Sequence, residues 1–136
     1  MAEFGFDVLV PGPPAQVWER LWDLDRHTAA IPLTTTVGEP LGPGAGFVAR
    51  TRLGPLKIDD EMVVRLWEPY DRAVIEKVGR PLTGSIHVTL RPAGADTRIR
   101  WEQRYAVAGV PGALAALASP AVRTAYLRAV RQITRP

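Results

Sequence analysis

Few residues of this chain stand where chemistry could be done. The stretch WDLDRH, Trp22 to His27, gathers two carboxylates and an imidazole. Such a group could begin a metal site, but a cation needs more ligands than an Asp-x-Asp and one histidine, and no second cluster stands nearby in the sequence. No metal or cofactor is therefore expected. Asp23 and Asp25 read as capping acids at the boundary between two short helices, and His27 as a surface histidine. Trp18 and Trp22, at i and i+4, read as packing, because burial of aromatic surface is their simplest role. Asp60, in KIDDEM, and Tyr105, in WEQRY, are the remaining candidates for acid–base work or for hydrogen bonds to a ligand. A carboxylate facing an apolar space must find a partner or hold its proton more tightly. Asp60 could equally lie near a strand end in water, or a bulge in IDDEM could exchange it with Asp59 or Glu61. Cysteine is absent, which excludes thiol nucleophiles, disulfides and Cys-ligated zinc. No Ser-His-Asp set, paired-carboxylate signature or phosphate loop is visible.

The elements that must position these residues follow from periodicity. FGFDVLV alternates, with Phe4, Phe6, Val8 and Val10 on one face of a strand. PGPP stops it, and Pro14 suits the first turn of a helix, where no amide partner is lost. Val17, Trp18, Leu21 and Trp22 share one helical face. A second short helix is predicted from about Leu24 to Ala30, ended by Pro32. Strands then recur between turn residues: LTTTVG, FVARTRL, KIDDEMVVRLW, RAVIEKV, GSIHVTLRP and TRIRWEQRYAV. After AGVPG the chain turns Ala- and Leu-rich. Pro120 is expected to interrupt this helix, with Ser119 capping a restart, so the last helix is predicted from roughly Val122 to Thr134. Its apolar stripe runs through Val122, Ala125, Tyr126, Ala129, Val130 and Ile133.

The chain has 136 residues, of which 46% are hydrophobic and 23% charged, with a formal net charge of +3. This size and composition fit one domain, residues 1–136, with a substantial core. All basic residues except Lys57 and Lys77 are arginines, spread along the chain and interleaved with acids. That reads as a solvated surface, and no nucleic-acid partner is expected. The N-terminus has no basic start or long apolar stretch, and no run approaches the ~20 apolar residues of a membrane helix. No stable membrane insertion is expected, and a cytoplasmic location is the default. The oligomeric state is left open.

The architecture predicted is α+β: a curved antiparallel sheet of about seven strands, two short helices after the first, and a long C-terminal helix as the only cover large enough for the apolar face. Taking the more apolar phase of each strand as inward places Phe47, Ala49, Thr51 and Leu53 on the concave face. The same choice turns Ile58, Asp60, Met62, Val64 and Leu66 inward. It adds Ile86, Val88 and Leu90, and finally Ile99, Trp101, Gln103 and Tyr105. Arg50, Arg52, Arg98, Arg100, Arg104 and His87 then point outward.

This order, together with PPAQVWERLWDLDRHTAAIP near the start, EPYDRAVIEKVGRPLTGSIHVTLRP in the middle and ADTRIRWEQRYAV before the final helix, resembles the START-like superfamily. That superfamily is also called Bet v 1-like or polyketide cyclase/dehydrase-like (SRPBCC). The resemblance implies a helix-grip fold around a cavity for lipids, sterols, polyketides or other apolar small molecules. It matches no catalytic motif of a subfamily and so assigns no catalytic residues. The partner expected is a small hydrophobic molecule, held by Thr51, Asp60, Met62, Val64, Leu66, Ile86, Val88, Trp101, Gln103 and Tyr105. One alternative is a polyketide aromatase/cyclase-type enzyme acting on a carbonyl compound, with Asp60 and Tyr105 as acid or base and hydrogen-bond donor. The other is an interaction module whose pocket is filled by side chains.

Overall fold

The computed structural model describes residues 1–136. Strand β1 (Ala2–Val10) leads into α1 (Pro14–Leu21), which has Pro at its first positions, and α2 (Leu24–Ala30). Asp23 caps α2, its side chain accepting from the Asp25 amide at 3.0 Å. This satisfies one of the amides that a helix start leaves free. Strands β2 (Thr34–Gly38), β3 (Gly46–Leu53), β4 (Leu56–Glu68), β5 (Arg72–Val78), β6 (Leu82–Ala93) and β7 (Asp96–Val107) follow, and α3 spans Gly112–Ile133. The strands form one antiparallel sheet in the order β1-β7-β6-β5-β4-β3-β2. The curved sheet and the long C-terminal helix make the helix-grip fold.

Helix α3 packs mainly on β1, with contacts to β7, α1 and α2. Its docking explains why Pro120 does not interrupt it, contrary to the break predicted there. Ser119 is buried and donates to the Glu3 carbonyl at 3.1 Å instead of capping a new helix, and Arg123 Nε donates to the Gly5 carbonyl at 2.9 Å. β1 pairs only with β7 and is therefore a sheet edge. The helix satisfies two carbonyls of that edge and continues across a residue that lacks one N–H. At its far end, Arg26 of α2 donates to the carbonyls of Ile133 and Arg135, at 3.0 and 2.6 Å. A cation there also suits the negative end of the helix dipole.

The sheet carries one bulge that redirects side chains. Val64 pairs with Ile75, but Leu66 pairs with Val74 and Trp67 with Ala73. One extra residue in β4 reverses the alternation beyond it. Leu66, expected on the concave face, is thereby turned to the other face, and Trp67 takes its place in the core.

Beneath α3 the core is aromatic. Phe6 and Trp101 stack with centroids 5.9 Å apart, and Tyr126 of α3 lies 5.9 Å from Trp101 and 5.5 Å from Phe4. Ile86, Val88, Leu90 and Ile99 are each at most 4% exposed around this stack.

Candidate ligand site on the concave face

Strand β5 alternates Ala73, Ile75 and Lys77 towards the core, so the apolar phase of RAVIEKV ends on a lysine. Lys77 is only 3% exposed. Its Nζ donates to Asp60 Oδ2 from the neighbouring strand and lies 3.9 Å from Met62 Sδ. Burial acts against the ammonium, but the adjoining Tyr126 and Asp60 outweigh it and hold its pKa above the ordinary lysine value. Lys77 is thus a cation at neutral pH inside a hydrocarbon wall. Opposite Lys77 in the register stands Gly84 of β6, with φ +140°, where a Cβ would overlap the Arg104 carbonyl of β7. Only glycine adopts that conformation readily.

The pair is incompletely satisfied. Asp60 Oδ1 is buried and has no hydrogen-bond partner. A buried acceptor left in this state costs about 1–3 kcal/mol. The ends of the neighbouring strands are less covered: Thr51 is half-buried, while Ile58 and Leu53 are 36% and 51% exposed. The side chains near the β3–β4 hairpin are therefore less covered than those beneath α3. A cation beside a carboxylate with a free oxygen can bind a polar group, stabilise a developing oxyanion, or accept a proton.

The other expected residues separate into groups. Met62, Val64, Ile86, Val88 and Trp101 are buried in one core cluster. Gln103 is 2% exposed, and its Oε1 accepts from Trp101 Nε1 at 3.1 Å. Thr51 bonds Thr34 between hydroxyls at 2.8 Å. Tyr105 does not join Asp60. It packs with Ala2 and Ala115 in a separate small cluster, and its hydroxyl donates to the Ala115 carbonyl at 3.4 Å. Asp60 instead pairs with Lys77, next to Tyr126. Lys77 was missed although the phase of β5 points to it. Tyr126 was placed on the helix stripe, but only the packing of α3 brings it beside Lys77.

His27 is not a surface histidine. It is half-buried, and its Nε2–H donates to the Leu21 carbonyl at 2.6 Å. Burial lowers its pKa, against the smaller raising effects of Leu21 and Asp23. It serves as a strut between α1 and α2. Trp18 and Trp22 are buried, at 3% and 7% exposure, and pack against Trp67. They also border a cleft of about 590 Å³ between α1, the β2–β3 loop and the β4–β5 turn.

Comparisons with known proteins agree with this fold. No curated protein sequence matches the chain. Many solved structures share the fold. The protein TTHA0849 from Thermus thermophilus is 14% identical with a TM-score of 0.71, the match covering 96% of this chain and 90% of that one. Ara h 8.0201 is also 14% identical with a TM-score of 0.71, covering 97% and 94%. The di-domain ARO/CYC StfQ of the steffimycin biosynthetic pathway is 14% identical with a TM-score of 0.76 over 98% of this chain, which spans 49% of that protein. A family model described as polyketide cyclase / dehydrase and lipid transport matches residues 1–135, and the chain belongs to that family.

Proposed function

We propose that this protein binds a small, mostly apolar molecule against the concave face, with an oxygen-bearing end of the ligand at Asp60, Lys77 and Tyr126. The observation that carries the reading is the ion pair itself: a charged lysine 3% exposed within hydrocarbon, joined to a carboxylate with one buried oxygen unpaired. A ligand hydroxyl would complete Asp60, and the apolar body would rest on the half-buried hydrocarbon of β3 and β4. Burial of that body supplies most of the affinity, at about 25 cal/mol per Å² before association costs.

The same pair favours a second reading, catalysis on a carbonyl compound. Lys77 would stabilise negative charge developing on the carbonyl oxygen while Asp60 takes the proton from carbon. The similarity to StfQ and the family description lend support to this reading.

The test is titration with fatty acids, sterols and hydroxylated aromatic polyketides, read by native mass spectrometry. Ala49 pairs with Asp60 across the strands, so Ala49→Trp fills the space beside the ion pair. A ligand should bind the parent, bind Asp60→Asn about tenfold more weakly, and not bind Ala49→Trp. Equal affinity in all three proteins would refute the site. Turnover of a poly-β-ketone analogue by the parent and not by Asp60→Asn would select the catalytic reading over simple carriage.

A further inference from the structure

The cleft beside α1 has a chemistry opposite to that of the concave face. It lies between α1, the start of α2, the β2–β3 loop and the β4–β5 turn, and measures about 590 Å³. Trp18, Trp22, Trp67 and Tyr70 form its aromatic wall. The rings meet steeply: Trp18 makes interplanar angles of 73° with Trp22, 62° with Trp67 and 79° with Tyr70. Rings set at such angles present faces and edges in several directions, as the walls of a box do.

Every ionisable side chain on the rim that is charged at neutral pH is acidic: Glu19, Asp23 and Asp25, in a chain whose formal net charge is +3. Asp23 is engaged, capping α2 and standing 3.8 Å from Arg26. Arg26 in turn is committed to the carbonyls at the end of α3. The carboxylates of Glu19 and Asp25 are exposed and form no ion pair or side-chain hydrogen bond within the protein. Two further features belong to this wall. Trp22 is more than nine-tenths buried, yet its Nε1–H has no acceptor. Tyr70 is held at φ +70°, a left-handed conformation that a bulky residue adopts at a cost, and this keeps its ring against Trp18 with centroids 6.4 Å apart.

We propose that this cleft is a second binding site, for a small organic ammonium ion that also carries an oxygen acceptor. The ammonium would lie against the aromatic faces, whose quadrupoles attract a cation, with Glu19 and Asp25 adding charge complementarity at the rim. The ligand oxygen would supply the acceptor that Trp22 Nε1 lacks. The proposal is independent of the concave-face reading, because the two sites share no lining residue.

Choline is the probe, and 3,3-dimethylbutan-1-ol, which replaces the charged nitrogen by carbon, is its neutral isostere. Both are titrated into the full chain while the indole N–H resonances of the tryptophans are followed by NMR. Choline should shift the Trp22 resonance and its neighbours saturably, leave Trp101 in place, and bind about tenfold more tightly than the isostere, about 1.4 kcal/mol. The variant Glu19→Gln/Asp25→Asn changes only exposed side chains and should lose that preference while keeping the parent thermal stability. Absence of a saturable shift, equal binding of choline and its isostere, a shift confined to Trp101, or an unchanged preference in the double variant would each overturn the proposal.

Discussion

Two aromatic groups of similar ring chemistry lie in different parts of one core. Phe4, Phe6, Trp101 and Tyr126 are covered by α3 and adjoin a cation, Lys77. Trp18, Trp22, Trp67 and Tyr70 lie beneath α1 and adjoin acids on an open cleft. Ring packing alone does not distinguish them. Their neighbours do, through the sign of the charge beside the rings and the access left to a ligand. On the readings proposed above, one would take an apolar molecule with an oxygen end and the other a cation. Burial of aromatic surface builds the fold in both places, and two of the four buried polar atoms without a partner, Asp60 Oδ1 and Trp22 Nε1, lie one beside each cluster.

The largest expected effect tests whether the outer cluster is structural as well as a wall. Trp22→Ala should lower stability by roughly 3–5 kcal/mol in chemical denaturation, since the ring is nearly buried. A variant as stable as the parent would make that cluster a ligand surface alone. On the inner side, Asp60→Asn leaves a buried ammonium without its counter-charge and should cost about 3 kcal/mol at neutral pH. The pair Asp60→Leu/Lys77→Met should recover most of this, because hydrocarbon replaces both charges. If the double variant is no better than the single, the ion pair is not the element that distinguishes the inner side.

Gly84→Ala sharpens the same point through the backbone. It forces a side chain into a left-handed conformation against the Arg104 carbonyl and should cost about 1–3 kcal/mol. An unchanged melting temperature would show that the sheet beside Lys77 can yield. The smallest effect concerns the α1–α2 joint that supports the outer cleft. The pKa of His27 is lowered below 6.5 in the folded protein, so the unfolded chain binds a proton that the folded chain resists. Stability should therefore be full above about pH 6.5 and fall as pH drops towards the folded pKa, by at most about 1.4 kcal/mol per pH unit. His27→Gln, measured by urea denaturation at several pH values, should flatten that slope. The same slope in the variant would assign it to other groups.

Much of this was legible in the residues. Alternation in FGFDVLV and TRIRWEQRYAV set the strands and the inward phase, and the Pro-rich stop with Asp23 set the two short helices, because periodicity and capping are local properties. Three features could not be read that way. The bulge at Arg65 exchanges Leu66 for Trp67, and it exists only as a register between β4 and β5. The continuity of α3 through Pro120 depends on carbonyls of Glu3 and Gly5, more than a hundred residues away. The partner of Asp60 is a lysine on another strand, next to a tyrosine of the last helix. Sequence by itself determined the strands, the two short helices and most of the apolar core, since these follow from neighbours within a few positions. Only the tertiary structure decided which polar groups meet, because the energy of a buried charge depends on what long-range packing brings beside it.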